Sequence, residues 1–130
     1  PFHAGALLDR AGCERCISKV IGRSVGLSDV QLAPCSLAQV VSRMLRNLKA
    51  IYLQRNEFMV ALPVQRRLAA LDQGEPQEQR DLGMLCLQVD RPGDAVKPLE
   101  AYLRARPDAD DAGAVGSLLR AARREVARWN

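Results

Sequence analysis

The sequence has little of what membrane-spanning proteins and secreted precursors require. No run of apolar residues approaches the roughly 18 that a membrane-spanning helix needs. The chain also lacks the succession of basic, apolar and small residues that marks a secretory signal. Apolar residues make up 48% and charged residues 26% of the chain, which is the balance of a folded globular protein rather than of a disordered tail. We therefore expect a globular protein of the cytoplasm.

Residues that carry chemistry are also scarce. His3 is the only histidine, so a serine or cysteine nucleophile would have to recruit that residue from the start of the chain. The sequence contains no glycine-rich phosphate loop, dinucleotide fingerprint or carboxylate metal motif. Cys13 and Cys16 form a CxxC pair, but Cys35 and Cys86 are isolated, whereas zinc sites use convergent close pairs. We expect no catalytic residue, no cofactor and no metal, and we expect the thiols to be reduced.

The net charge of +4 arises from 19 basic and 15 acidic residues that are interspersed along the chain. Such a balance favours acidic partners only weakly. The last part of the chain is rich in arginine but lacks the interleaved aromatic residues of a nucleic-acid module. Binding to nucleic acid is therefore the least favoured of the functions considered.

A repeat of 34 residues is the strongest pattern that is present. It aligns apolar helix positions and a turn, and its identical pairs are Arg46 with Arg80, Leu48 with Leu82, Leu53 with Leu87, Gln54 with Gln88 and Ala61 with Ala95. The second copy has Leu82-Gly83, then Ala95 and a closing Pro107, and this spacing resembles the tetratricopeptide repeat. The first copy departs from that pattern, because Lys49 stands where the glycine belongs.

The resemblance implies an all-α fold of antiparallel helix pairs. We predict helices near residues 9–22, 36–55, 58–72, 76–89, 92–105 and 110–129. Residues 1–35 would form an N-terminal segment with one helix and a loop, and residues 36–130 a repeat-like domain with units at about 42–75 and 76–109. The last helix, 110–129, would cap the array with one apolar face, made of Val115, Leu119, Ala122, Val126 and Trp129.

The first helix of each tetratricopeptide unit lines a concave surface, so the resemblance also implies a groove. On a helical wheel the polar side of the segment RMLRNLKAIY, Arg43 to Tyr52, lies opposite its apolar side. Such a groove suits a peptide, a partner domain or a C-terminal carboxylate. The predicted groove residues are Arg43, Arg46, Asn47, Ala50, Leu53, Gln54, Arg80, Met84, Leu87 and Gln88. Two alternatives are a solvated helix face with no ligand and a face that docks onto a neighbouring domain.

A second resemblance covers essentially the whole chain. The segments Pro1-Phe-His-Ala-Gly5, Arg43 to Tyr52 and Asp81 to Pro107 are similar to the C-terminal part of the bacterial transglutaminase-like proteins of the SirB type, which are named after a regulator. In that family a cysteine-protease-like domain precedes a helical repeat region. The resemblance implies that the Cys, His and Asp triad lies upstream and that His3 belongs to the joining segment.

The sequence therefore predicts a non-catalytic module that binds protein through a basic and polar groove. The alternative is a regulatory appendage of a transglutaminase-like enzyme whose catalytic domain precedes this chain. A lesser alternative is a regulator associated with nucleic acid. The expected partners are a protein or peptide, in particular an acidic one, and the upstream transglutaminase-like domain.

Overall fold

The computed structural model describes residues 7–71 and 74–128, and within these ranges all regular elements are α-helices. They are α1 (Arg10–Ile21), α2 (Leu37–Gln54), α3 (Phe58–Leu71), α4 (Pro76–Gln88), α5 (Pro92–Ala105) and α6 (Ala112–Arg128). The predicted all-α fold is confirmed, and each predicted helix end in the described ranges lies within two residues of the observed one. The predictions made for His3 and Trp129 fall outside the described residues.

The chain divides into two compact units, residues 1–36 and residues 37–130, which we call the N-terminal segment and the helical array. In the N-terminal segment α1 begins at the cap residue Asp9, whose carboxylate accepts a hydrogen bond from the Gly12 amide at 2.7 Å. Gly22 ends this helix in the left-handed conformation, at a φ of 76°. Leu27 donates its amide to the Glu14 carboxylate at 3.0 Å, which folds the following loop back along α1.

The 34-residue period appears in the array as two equivalent turns. Between α2 and α3, Asn56 adopts a left-handed φ of 57°, and the amide of Glu57 donates to the Tyr52 carbonyl at 2.9 Å. Between α4 and α5, Asp90 adopts a φ of 58°, and an equivalent bond of 2.8 Å joins Arg91 to Cys86. Asparagine and aspartate tolerate this conformation better than other side chains, which explains their place at both turns. We refer to α2–α3 as the first repeat and to α4–α5 as the second.

The core of the array lies where α5 packs between α4 and α6. Its buried residues include Ala61 and Leu62 of α3, and from the later helices Leu85, Cys86, Ala95, Leu99, Tyr102, Val115 and Leu119. Gly83 permits the close approach of α4 and α5, because a Cβ atom at this position would overlap the Leu99 side chain. The predicted capping role of the last helix is consistent with the burial of Val115, Leu119 and Ala122 on one face of α6.

None of the helices in the described ranges is long and apolar enough to cross a membrane.

Candidate protein-binding groove

A depression lies between α2 and α4, the first helices of the two repeats. It has a volume of about 270 Å³, and its floor is largely apolar. The start of α3 closes one side of it. The lining residues are Lys49 and Leu53 from α2, Phe58 from α3, and Asp81, Met84, Leu85 and Gln88 from α4. We call this depression the α2–α4 groove.

Three of the predicted groove residues line this depression together: Leu53, Met84 and Gln88. Leu87 does not, since it lines a separate cavity on the side of α4 that faces α6, together with Ala122 and Glu125. The other α2 residues are exposed and lie outside the lining of the groove; they are Arg43, Arg46, Asn47, Ala50 and Gln54. Arg80 is half-buried and also lies outside this lining, beside Tyr102.

Four residues of the groove were not predicted from the sequence: Lys49, Phe58, Asp81 and Leu85. Lys49 corresponds to Gly83 in the second repeat, and Asp81 lies two residues before Gly83. Opposite charges at nearly equivalent positions of the two repeats are a sequence signal that could have indicated both residues. Phe58 follows the turn at the start of α3, and its role depends on how the two repeats stack. No sequence pattern indicates it.

Glu78 on α4 connects all three helices of this region. Its carboxylate accepts hydrogen bonds from Arg46 Nε at 3.1 Å, from Lys49 Nζ at 3.2 Å and from Gln65 Nε2 at 2.9 Å. Only 6% of Glu78 is exposed. Burial raises the pKa of this carboxyl, but the bonds from Gln65, Arg46 and Lys49 outweigh burial and hold its pKa below the ordinary value. Glu78 is therefore a charged group that joins the first repeat to the second.

Lys49 explains the departure of the first repeat from the repeat pattern. It occupies the position that Gly83 holds 34 residues later, and its side chain is 13% exposed. The ammonium lies 3.1 Å from Asp81 Oδ2 as well as close to Glu78. The long side chain is directed towards α4, where two carboxylates neutralise it, so the missing glycine is replaced by a charged contact between repeats.

A second charged cluster joins α4 to the start of α6. Arg80 donates to Asp111 at 2.8 Å and to Asp81 at 3.0 Å, and its guanidinium lies 5.7 Å from the centre of the Tyr102 ring. The hydrogen bond to Asp111 raises the pKa of Arg80. The Tyr102 hydroxyl also donates to Asp111, and this bond raises the pKa of Tyr102 while lowering that of Asp111.

The two clusters neutralise most of the cations beside the groove. The positive side chains of Arg46, Lys49 and Arg80 are matched by Glu78, Asp81 and Asp111. Arg43 is different, because it has no acidic partner among the residues that the structure describes. The surface near the groove therefore combines an apolar floor, an internally neutralised edge and Arg43, an exposed arginine with no acidic partner among the described residues.

The cysteine pair of α1 lies in the N-terminal segment, where Cys13 and Cys16 are both half-buried. In residues 7–71 and 74–128 no three side chains of His, Cys, Asp or Glu converge as metal ligands do.

The comparison with known protein families agrees with this architecture. Residues 48–120 match the tetratricopeptide repeat model, and residues 1–46 match the model of the transglutaminase-like superfamily. The chain belongs to the tetratricopeptide repeat family. The two matches are almost contiguous, so the repeat region is joined to a transglutaminase-like segment, as the resemblance predicted. No curated protein and no solved structure matches the chain significantly.

Proposed function

We propose that the helical array binds an extended peptide or the surface of a partner protein domain in the α2–α4 groove, and that it has no catalytic role. Tetratricopeptide repeats are protein-interaction modules, and the first helices of their units provide the binding face. The observation that carries the proposal is the apolar floor between the two first helices, where Leu53 and Met84 remain partly exposed beside the buried Leu85. An apolar depression with a few polar groups at its edge is the usual form of such a site.

The polar residues near the groove differ in the contacts that they make within the array. Arg46 and Arg80 already hold carboxylates of the array, so a ligand would have to compete with Glu78 and Asp111 for them. Arg43 and Asn47 have no such partner among the described residues. We propose that the apolar floor supplies most of the affinity, and that Arg43 selects partners with an acidic residue at one end of the bound segment.

A second candidate function rests on the family matches. Because the transglutaminase-like match ends at residue 46 and the repeat match begins at residue 48, the partner could be a transglutaminase-like catalytic domain of the same protein. The array would then act as its regulatory appendage. This candidate differs from the first in the identity of the ligand, since a catalytic domain of the same protein rather than a separate peptide or partner protein would occupy the groove. For either function we propose the cytoplasm, where a buried thiol such as that of Cys86 remains reduced.

The test is a selection of peptides from a phage-displayed random library on the full chain, followed by fluorescence polarisation with each recovered peptide. Leu53 and Met84 are exposed, so the Leu53→Arg and Met84→Arg variants should both fold. Each places a charge on the apolar floor of the groove, so each should lose at least tenfold in affinity for the selected peptides. Leu118→Arg alters a similarly exposed leucine on α6 and should bind like the wild type. Equal binding by all four proteins would contradict the groove as the site.

A further inference from the structure

A stripe of apolar residues runs along α2 on a side that does not line the groove. Its members recur at alternating intervals of four and three residues, and they are Leu37, Val41, Met44, Leu48 and Ile51. This interval is typical of a helix that packs along a second helix. Four of the five are exposed, by 79% at Leu37, 64% at Met44, 36% at Leu48 and 43% at Ile51. We call this set the α2 stripe.

The equivalent positions of the second repeat lie against a neighbouring repeat. A shift of 34 residues places Met44, Leu48 and Ile51 at Glu78, Leu82 and Leu85 of α4. Glu78 and Leu85 are each only 6% exposed, and Glu78 bonds to both helices of the first repeat. The part of the stripe from Met44 to Ile51 is therefore equivalent to a surface of α4 that is largely buried in the second repeat.

We propose that the α2 stripe pairs with the same stripe of a second copy of this chain, in an antiparallel arrangement about a two-fold axis at Met44. Leu37 and Ile51 each lie seven residues from Met44, so reversal of one helix brings Leu37 of one copy opposite Ile51 of the other. The surface is thus self-complementary, as a two-fold interface requires.

The charges of α2 permit this pairing even though each copy carries a net charge of +4. At 100° per residue, the cations within α2, Arg43, Arg46 and Lys49, lie at least a quarter turn from Met44. The positions that flank the stripe on its solvent side are the uncharged Val40, Asn47 and Gln54. No pair of like charges from α2 would therefore meet along the seam, and a helix of 18 residues provides about 27 Å of contact length.

Sedimentation velocity on the full chain at several concentrations tests the proposal. The wild type should show a species of twice the 14.3 kDa chain mass, which dissociates on dilution. Met44→Glu should be monomeric, because it places two carboxylates at the two-fold axis, and Leu118→Glu should dimerise like the wild type. Circular dichroism should show equal helix content in all three proteins.

A charge-swap experiment tests the register. Met44→Glu and Met44→Lys should each be monomeric alone, and an equimolar mixture of the two should restore the dimer, because opposite charges then meet at the axis. A wild type that is monomeric at every concentration would overturn the proposal and assign the stripe to a different protein, such as a transglutaminase-like domain. A dimer that persists in both single variants, or a mixture that stays monomeric, would overturn it as well.

Discussion

The Lys49 ammonium on α2 lies 3.2 Å from the Glu78 carboxylate on α4, and this contact joins the first helices of the two repeats. Lys49 stands at the position that Gly83 holds in the second repeat, so the first repeat has a charged contact with its neighbour where the second has a close contact between its own helices. The groove floor begins directly beside this contact, since Lys49 and Asp81 both line it. The charged contact that joins the two repeats therefore lies at the edge of the proposed binding site.

Replacement of Glu78 by glutamine should strongly destabilise the array. The substitution removes a charge that three donors share and leaves Lys49, which is mostly buried, with Asp81 alone. Removing one partner of such a pair costs about 3 kcal/mol of the free energy of unfolding. Urea denaturation followed by circular dichroism measures the change. Glu125→Gln, at an exposed position of α6, is the control and should shift the free energy by less than about 0.5 kcal/mol.

The stability of the array should fall at acid pH through the same residue. The folded pKa of Glu78 lies below its ordinary value of about 4.3, so its contribution is fully present above that value and is lost as the pH falls through the folded pKa. Urea midpoints measured from neutral pH down to about 3 should therefore decline more steeply in the wild type than in Glu78→Gln. Parallel declines in the two proteins would contradict the depressed pKa.

Gly83→Ala should destabilise the second repeat. The added methyl group would overlap Leu99 in the core, and overpacking of this kind costs about 1–3 kcal/mol. The double variant Gly83→Ala with Leu99→Ala should be more stable than the sum of the two single changes predicts, because the second substitution makes room for the first. Gly113→Ala is the matched control: its added methyl group would meet nothing within 4 Å beyond the neighbouring residues and the backbone of its own helix, and it should be neutral or stabilising.

Tyr102 should ionise at a higher pH than an ordinary tyrosine. Its hydroxyl donates to Asp111, and loss of the proton would place two negative oxygens side by side, which raises the pKa of Tyr102. The chain has two tyrosines, so the Tyr52→Phe variant isolates Tyr102 in a titration of tyrosinate absorbance. Its midpoint should lie above about 10, and Asp111→Asn in the same background should lower it. An unchanged midpoint after the second substitution would contradict the assigned hydrogen bond.

Much of the fold could be predicted from the sequence, because its signals are local. The 34-residue period, the prolines that begin α4 and α5, and the residues at the turns each act over a few positions. Gly83 could be recognised in the same way, since its effect is fixed by its place in the repeat. These signals located every helix of the described ranges.

The pairing of charges beside the groove could not be predicted in this way. A helical wheel places Arg46 and Arg80 on polar faces, but it does not show which carboxylates of other helices they meet. Their bonds to Glu78 and Asp111 depend on how the repeats stack and on the direction of long side chains. For the same reason a wheel does not show that Met44 is exposed while its neighbour Leu45 is half-buried.

The central claim is that the groove floor at Met84 is the protein-binding site, and a methyl spectrum of the chain labelled with 13C-methyl methionine tests it most directly. The three methionines report on three places: Met84 on the groove, Met44 on the α2 stripe and Met59 on an exposed part of α3. Titration with a peptide selected on the chain should shift the Met84 signal at constant protein concentration and leave Met59 unchanged. A titration that shifts Met59 or Met44 while Met84 stays in place would contradict the groove as the binding site.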